Sequence, residues 1–248
     1  MIPRIIHQTW KTRDIPPHLQ EFQQSWRVHH PDWEYRLWTD EDNSRLIHEC
    51  YPQFVDFWDR PLPPIIKIDF VRLAFMHQFG GIYVDMDFEA LRPLTPLFQD
   101  SKMIVGREKG GIGMQFRGRD FLCNALIASP AGHPLWLDLM QEMIRRLRPR
   151  GKFEREPIYV LHMTLEVFDA VLEAYQQTHS DLVITSHEMF YPAPPTCRLV
   201  QARREMAAEL DSYAIHHFDG SWLGWRDRCI NLLLAFSQCW RKRPKKSQ

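Results

Sequence analysis

Asp85 and Asp87 are the residues of this chain best suited to chemistry. They stand in Gly80-Gly81-Ile82-Tyr83-Val84-Asp85-Met86-Asp87-Phe88-Glu89, where Ile82, Val84, Met86 and Phe88 alternate with Tyr83, Asp85, Asp87 and Glu89. A period of two is the pattern of a strand with one buried face, and it sets both carboxylates on one side, about 6–7 Å apart along the strand. Carboxylates that close repel unless a cation or a proton lies between them. An Asp-x-Asp at a strand end therefore suits Mn²⁺ or Mg²⁺, which take oxygen ligands and bridge readily to a diphosphate. A solvated strand end would carry the same triplet, so the neighbouring residues must decide.

Residues 65–79 read as a helix that is apolar on nearly every side, with Pro63 and Pro64 at its start and Gly80 at its stop. Asp69 and Arg72 lie at i and i+3, on one face of it. Buried charges require partners. Two arrangements satisfy that rule. The pair forms an internal salt bridge, or both side chains reach the cleft of Asp85 and Asp87, Arg72 meeting phosphate or sugar oxygens and Asp69 accepting from hydroxyls. The set Asp69-x-x-Arg72 followed by Gly80-Gly81-x-Tyr83-x-Asp85-x-Asp87 is far more specific than its parts.

With these residues the chain resembles the DXD-containing glycosyltransferases of family 32, and more distantly the sugar-transferring domains of clostridial toxins. The resemblance begins at Ile2-Pro3-Arg4-Ile5-Ile6-His7-Gln8-Thr9-Trp10 and continues through Trp26, Pro31-Asp32-Trp33 and Leu37-Trp38-Thr39-Asp40. After the central block it takes in Asn124-Ala125, Gly132-His133-Pro134 and His216-His217-Phe218-Asp219-Gly220-Ser221-Trp222. It implies an α/β fold of the GT-A type, a Rossmann-like mixed sheet flanked by helices. It implies a metal-dependent enzyme using Mn²⁺ (or Mg²⁺) that moves a sugar, with retention, from a nucleotide-diphosphate donor to a hydroxyl of a glycan or glycolipid.

The same resemblance distributes roles. Asp85, Asp87 and Arg72 form the catalytic set, with Asp69, Asp85, Asn124, Ser221 and Trp222 against the donor. Asp87 and the His217 segment hold the metal, the ligand among His217, Asp219 and Ser221 being left open. His216 points the opposite way on an extended chain and ranks lower. Trp10 follows the first strand, at the end of an open sheet where ligands gather, and either stacks on a nucleotide base or packs in the core. Asn124 either touches the donor sugar or caps a buried group. Two other functions fit the same carboxylates: a metal-dependent nucleotide-sugar hydrolase, and a non-catalytic glycan-binding protein.

The rest of the chain agrees with a globular enzyme. Its 248 residues are 44% hydrophobic, enough for one full core. Lys plus Arg equals Asp plus Glu at 31 each, so no net charge points to nucleic acid. Five cysteines without a Cys-x-x-Cys spacing argue against a zinc ribbon or disulfide framework and for a reducing compartment. The start lacks a signal-like segment, and no run reaches the roughly 18 apolar residues of a membrane span. The expected place is cytoplasmic, peripheral at the inner face of a membrane.

Strands are expected at 4–9, 35–38, 82–89, 103–106, 182–184 and 213–217, and helices at 17–29, 40–50, 65–79, 133–147 and 158–175. Asp40 is the expected cap of the second helix. Residues 1–228 read as the sugar-transferase domain and 229–248 as an apolar helix with a basic tail. That tail suits the surface of an anionic membrane, or the helix packs on the core.

Overall fold

A strand buried on both faces needs neighbours on both edges, and β1 (Ile5–Thr9) has them. Both β2 (Glu34–Trp38) and β3 (Gly81–Val84) pair with it in parallel. The computed structural model describes residues 1–98, 100, 102–111, 117–147 and 157–220. Beyond β3 the sheet turns antiparallel: β6 (Leu122–Ser129) runs against β3, and β5 (Met103–Arg107) runs against β6. A parallel β7 (Leu182–Thr185) closes the far edge, giving the six-stranded order β2-β1-β3-β6-β5-β7. The expected mixed α/β architecture is the one observed.

Eight helices occur among the described residues: α1 (Pro17–His29), α2 (Asp40–Cys50), α3 (Val55–Trp58), α4 (Pro64–Gln78), α5 (Leu135–Arg146), α6 (Pro157–Gln176), α7 (His187–Phe190) and α8 (Val200–Glu209). α4 is buried on all sides, as its composition requires. Phe70, Leu73, Phe75 and Met76 share a core with Trp136, Leu139 and Met140 of α5, Leu172 of α6, and Val105 and Ile127 of the sheet. The Gly80-Gly81 step joins α4 to β3 at φ 62° and 90°. A Cβ on Gly81 would lie 2.4 Å from the Ile5 carbonyl oxygen, so only glycine lets the strand enter against β1. The cap of α2 is Thr39, not Asp40. Its hydroxyl accepts from the Asp42 amide while the Asp42 carboxylate accepts from the Thr39 amide, and Asp40 is the first helical residue.

The expected continuous strand over 82–89 is two strands. The chain turns at Asp85–Asp87, where the Phe88 amide donates to the Asp85 carbonyl at 3.1 Å. It then starts β4 (Phe88–Ala90), which leaves the main sheet and pairs antiparallel with β8 (Ala214–His216). Helix α1 holds β4 in place, the Trp26 indole donating to the Phe88 carbonyl at 2.8 Å.

His7 shows how deeply β1 is enclosed. Its Nδ1 accepts from the Trp38 indole at 3.0 Å, its Nε2 donates to the Gly80 carbonyl at 2.9 Å, and its ring stacks on Phe75. Burial lowers its pKa from 6.5 to about 3. As pH falls below about 6.5 the unfolded chain takes up a proton that the folded chain refuses, so this residue's contribution to stability shrinks with acidification. At pH 5 the imidazole should therefore stay neutral with its proton on Nε2, seen in a long-range ¹H–¹⁵N spectrum. A doubly protonated His7 at that pH would contradict the burial.

The chain divides into two compact units, Met1–His217 and Phe218–Gln248. The described part of the second is Phe218, Asp219 and Gly220, with Phe218 and Gly220 at φ 52° and 61°. Ser221, Trp222, the boundary expected after residue 228 and the tail 229–248 lie outside the described residues. Among the described residues no helix is long and apolar enough to cross a membrane.

Candidate active site

The i, i+3 spacing on α4 makes the internal salt bridge. The Arg72 guanidinium is 2.9 Å from Asp69 Oδ1 and 3.3 Å from Asp85 Oδ1, and it donates to the Asn124 carbonyl at 2.7 Å. It also lies over the Tyr83 ring, 4.6 Å from the centroid. Arg72 is 1% exposed and Asp69 5%, so neither faces an open cleft. Burial would pull the guanidinium pKa down, but the neighbouring carboxylates, Asp85 foremost, outweigh it and the net shift is upward. The Asn124 amide donates to Asp69 Oδ1 at 3.0 Å, the buried arrangement that competed with a donor contact. In this structure Arg72, Asp69 and Asn124 bond to one another and, through Arg72, hold Asp85. The guanidinium expected at a sugar is enclosed by these partners.

What they position is Asp85. Its Oδ1 accepts from the Tyr83 hydroxyl at 2.6 Å, its amide donates to the Ala125 carbonyl at 2.9 Å, and its carbonyl accepts from the Gln8 amide at 3.2 Å. The turn at Asp85–Asp87 then folds Asp87 back towards it. Asp85, Asp87 and His216 each offer a ligand atom, all within 4.8 Å of one another, and His216 Nε2 is 3.3 Å from Asp87 Oδ1. The Asp85 and Asp87 side chains keep 26% and 15% exposure, so the cluster can be reached from solvent. Burial and the charge of Asp87 raise the Asp85 pKa against the pull of Arg72. Burial lowers the His216 pKa, but Asp87 and Asp85 more than reverse this. Two carboxylates and an imidazole in mutual contact are a fitting donor set for a divalent cation with mixed oxygen and nitrogen ligands.

The imidazole of the cluster belongs to His216, and the expectation for His217 is corrected. In the β4–β8 ladder Phe88 lies opposite His216, and their rings stack at 4.8 Å. Neighbours on a strand face opposite ways. His217 therefore points to the other side, its Nε2 3.0 Å from Glu89 Oε2 and its ring 4.1 Å from that of Phe22. Arg204 of α8 closes that second pair by donating to both Glu89 oxygens at 3.0 Å. Asp219 belongs to the second unit and is not among the residues of the cluster. Trp10 is half-buried against Ile15, Leu19, Phe22 and Met86, the residue between the two aspartates. That places it beside the turn while packing it on a small core.

Substitution distinguishes the two histidines. His216→Ala should weaken Mn²⁺ binding about tenfold or more in a calorimetric titration, the loss of about 1.4 kcal/mol or more from one ligand. His217→Ala should leave that affinity nearly unchanged. Equal losses, or a larger one from His217, would contradict the register of β8.

Comparison with known proteins now has a geometry to meet. Residues 16–104 match the model of the glycosyltransferase sugar-binding region containing the DXD motif. That match runs from the start of α1 into β5 and takes in Asp69, Arg72, Asp85 and Asp87. A mannosyl phosphorylinositol ceramide synthase of Saccharomyces cerevisiae is 35% identical over 143 residues, covering 58% of this chain and 35% of that protein. Inositol phosphoceramide mannosyltransferase 3 of Schizosaccharomyces pombe is 35% identical over 144 residues, covering 58% and 38%. The chain thus spans little more than a third of the length of these curated relatives. Among solved structures, PaToxG glycosyltransferase superposes with a TM-score of 0.51 at 16% identity, over 71% of this chain and 70% of that one. That likeness concerns the fold alone.

Within the DXD region the aspartates of the motif are Asp85 and Asp87, and Tyr83 and Gln8 prove to be supports of Asp85. Tyr83 stood in the motif with no role attached. Gln8 carried no signal beyond lying on β1, because its partner is a backbone carbonyl 77 residues away.

Proposed function

We propose that this chain is a metal-dependent, retaining glycosyltransferase that moves a sugar from a nucleotide-diphosphate donor to a hydroxyl acceptor. The observation that carries the reading is the convergence of Asp85, Asp87 and His216, with ligand atoms within 4.8 Å of one another, at the end of β3. Asp87 and His216, with Asp85, would hold Mn²⁺, or Mg²⁺, and the imidazole favours Mn²⁺ of the two. A divalent cation there supplies positive charge beside the departing diphosphate. Arg72 and Tyr83 fix the Asp85 carboxylate, and Gln8 fixes its backbone, so this ligand need not reorganise. Trp10, next to Met86, would flank the nucleotide. Ser221 and Trp222 keep their expected place against the donor as part of this proposal.

The relatives are named as mannosyltransferases and as synthases of mannosyl lipids. Mannose is accordingly the first sugar to test, and an inositol-containing phospholipid the first acceptor. A panel of nucleotide sugars, scored for metal-dependent nucleotide release with and without acceptor, tests the reading. Release that needs both metal and acceptor supports transfer. Release indifferent to acceptor would make the protein a hydrolase, and no metal-dependent donor binding would leave a glycan-binding protein. A lipid acceptor also fits peripheral attachment at a cytoplasmic membrane face through 229–248. Deleting that segment should release the protein from anionic liposomes while sparing donor hydrolysis. A full-length chain that ignores such liposomes at low salt would refute the attachment.

A further inference from the structure

On the outer side of α1 lies a cleft that the catalytic reading does not use. It has a volume of about 650 Å³ and is lined by Arg13, Gln20, Gln23, Gln24, Arg27 and Tyr35 over an apolar floor of Ile15 and Leu37. We propose that it binds a phosphorylated sugar. Volume alone is permissive, since ligand pockets run from about 300 to 1,000 Å³. The chemistry of the lining is more selective.

Gln20, Gln23, Gln24 and Arg27 are spaced i, i+3, i+4 and i+7, one stripe of α1, while Leu19, Phe22 and Trp26 form its buried face. A stripe made only for solvent usually mixes both charge signs. Here three neutral amides and one cation face the cleft, and no lining residue is a carboxylate. Amides match the paired donors and acceptors of sugar hydroxyls beyond the bonds that Gln20 makes to the Ile15 carbonyl and Gln23 to Tyr35, and Ile15 and Leu37 give a surface for the ring's C–H face. Arg27 supplies the charge for a phosphate, Arg13 being already paired with Asp42 and offering its remaining N–H groups. Both are held. Arg13 donates to the Leu37 carbonyl and to Asp42, each at 2.7 Å, and Arg27 lies over the Tyr35 ring, 4.3 Å from its centroid.

The cleft is also wired to the catalytic turn. The Gln23 amide donates to the Tyr35 hydroxyl at 2.9 Å, which donates to Gln8 Oε1 at 2.6 Å, and Gln8 Nε2 donates to the Asp85 carbonyl at 3.2 Å. A ligand that engages Gln23 or Tyr35 therefore tugs on the backbone of Asp85.

Calorimetric titration of the full chain with mannose 6-phosphate is the test, with inorganic phosphate and mannose as controls. Saturable binding by the wild type and by Asp87→Asn alike is expected. Arg27→Gln, an exposed change, should weaken it about tenfold, the worth of one charge-assisted contact. The Met86 amide resonance should shift on binding in the wild type and not in Tyr35→Phe. Four results would overturn the proposal: no binding, binding untouched by Arg27→Gln, binding lost in Asp87→Asn, or inorganic phosphate binding as tightly as the sugar phosphate. Binding without a shift at Met86 would sever the link to the catalytic turn.

Discussion

Asp87→Asn should abolish sugar transfer while leaving the fold standing. The change removes one negative charge from the donor set at nearly constant shape, so the packing around the largely buried side chain is kept. Its backbone stays in place through the carbonyl that accepts from the His217 amide at 2.9 Å. Charge stabilisation lost at a developing leaving group typically costs about 2.7–4 kcal/mol, or hundreds-fold in rate. The measurement is nucleotide release at saturating Mn²⁺ and donor, beside a thermal melt. A rate near that of the wild type would remove the cation from the mechanism. A large fall in melting temperature would mean that Asp87 supports the fold, and the lost rate could not be charged to the site.

What could be read from the residues, and what could not, follows the range of the interactions. Asp69 and Arg72 share a face because helical spacing puts them there, whatever else folds around them. Gly80-Gly81 marked the turn into β3 because its positive φ values are local. The outcome of the salt-bridge question was not local: it required Asn124 and Asp85, brought to Arg72 by β6 and the end of β3. The choice between His216 and His217 turned on one residue of register against β4, 128 positions away in sequence. The resemblance pointed to the His217 segment, and alternation along residues 216–217 could only say that the two imidazoles face opposite sides, not which side Asp87 takes. The turn there breaks the alternation and brings the Asp87 carboxylate round to the His216 face. Helices α7 and α8 were missed as well. One is a four-residue turn and the other is weakly amphipathic, so neither carries a strong period.

Arg72→Met should cost a large share of the stability of the protein. The side chain it replaces is fully enclosed and makes close contacts with Asp69, Asp85 and the Asn124 carbonyl. Without it the Asp69 carboxylate is left buried with one amide donor from Asn124, and Asp85 loses the charge that opposes its desolvation. Breaking a buried ion pair from one side typically costs about 3–5 kcal/mol, against a total stability of about 5–15 kcal/mol for an ordinary domain. Arg72→Lys should recover only part of the loss, because a point charge cannot serve Asp69, Asp85 and a carbonyl in one plane. Adding Asp69→Asn to Arg72→Met should recover more than additivity allows, since the two residues are in contact. Urea midpoints of the wild type, the single variants Arg72→Met, Arg72→Lys and Asp69→Asn, and the double variant measure this. The alternative role, in which the guanidinium meets the donor sugar, has the opposite signature. Arg72→Met would then keep its urea midpoint and lose turnover, and that pairing of results would return Arg72 from the support of Asp85 to the substrate itself.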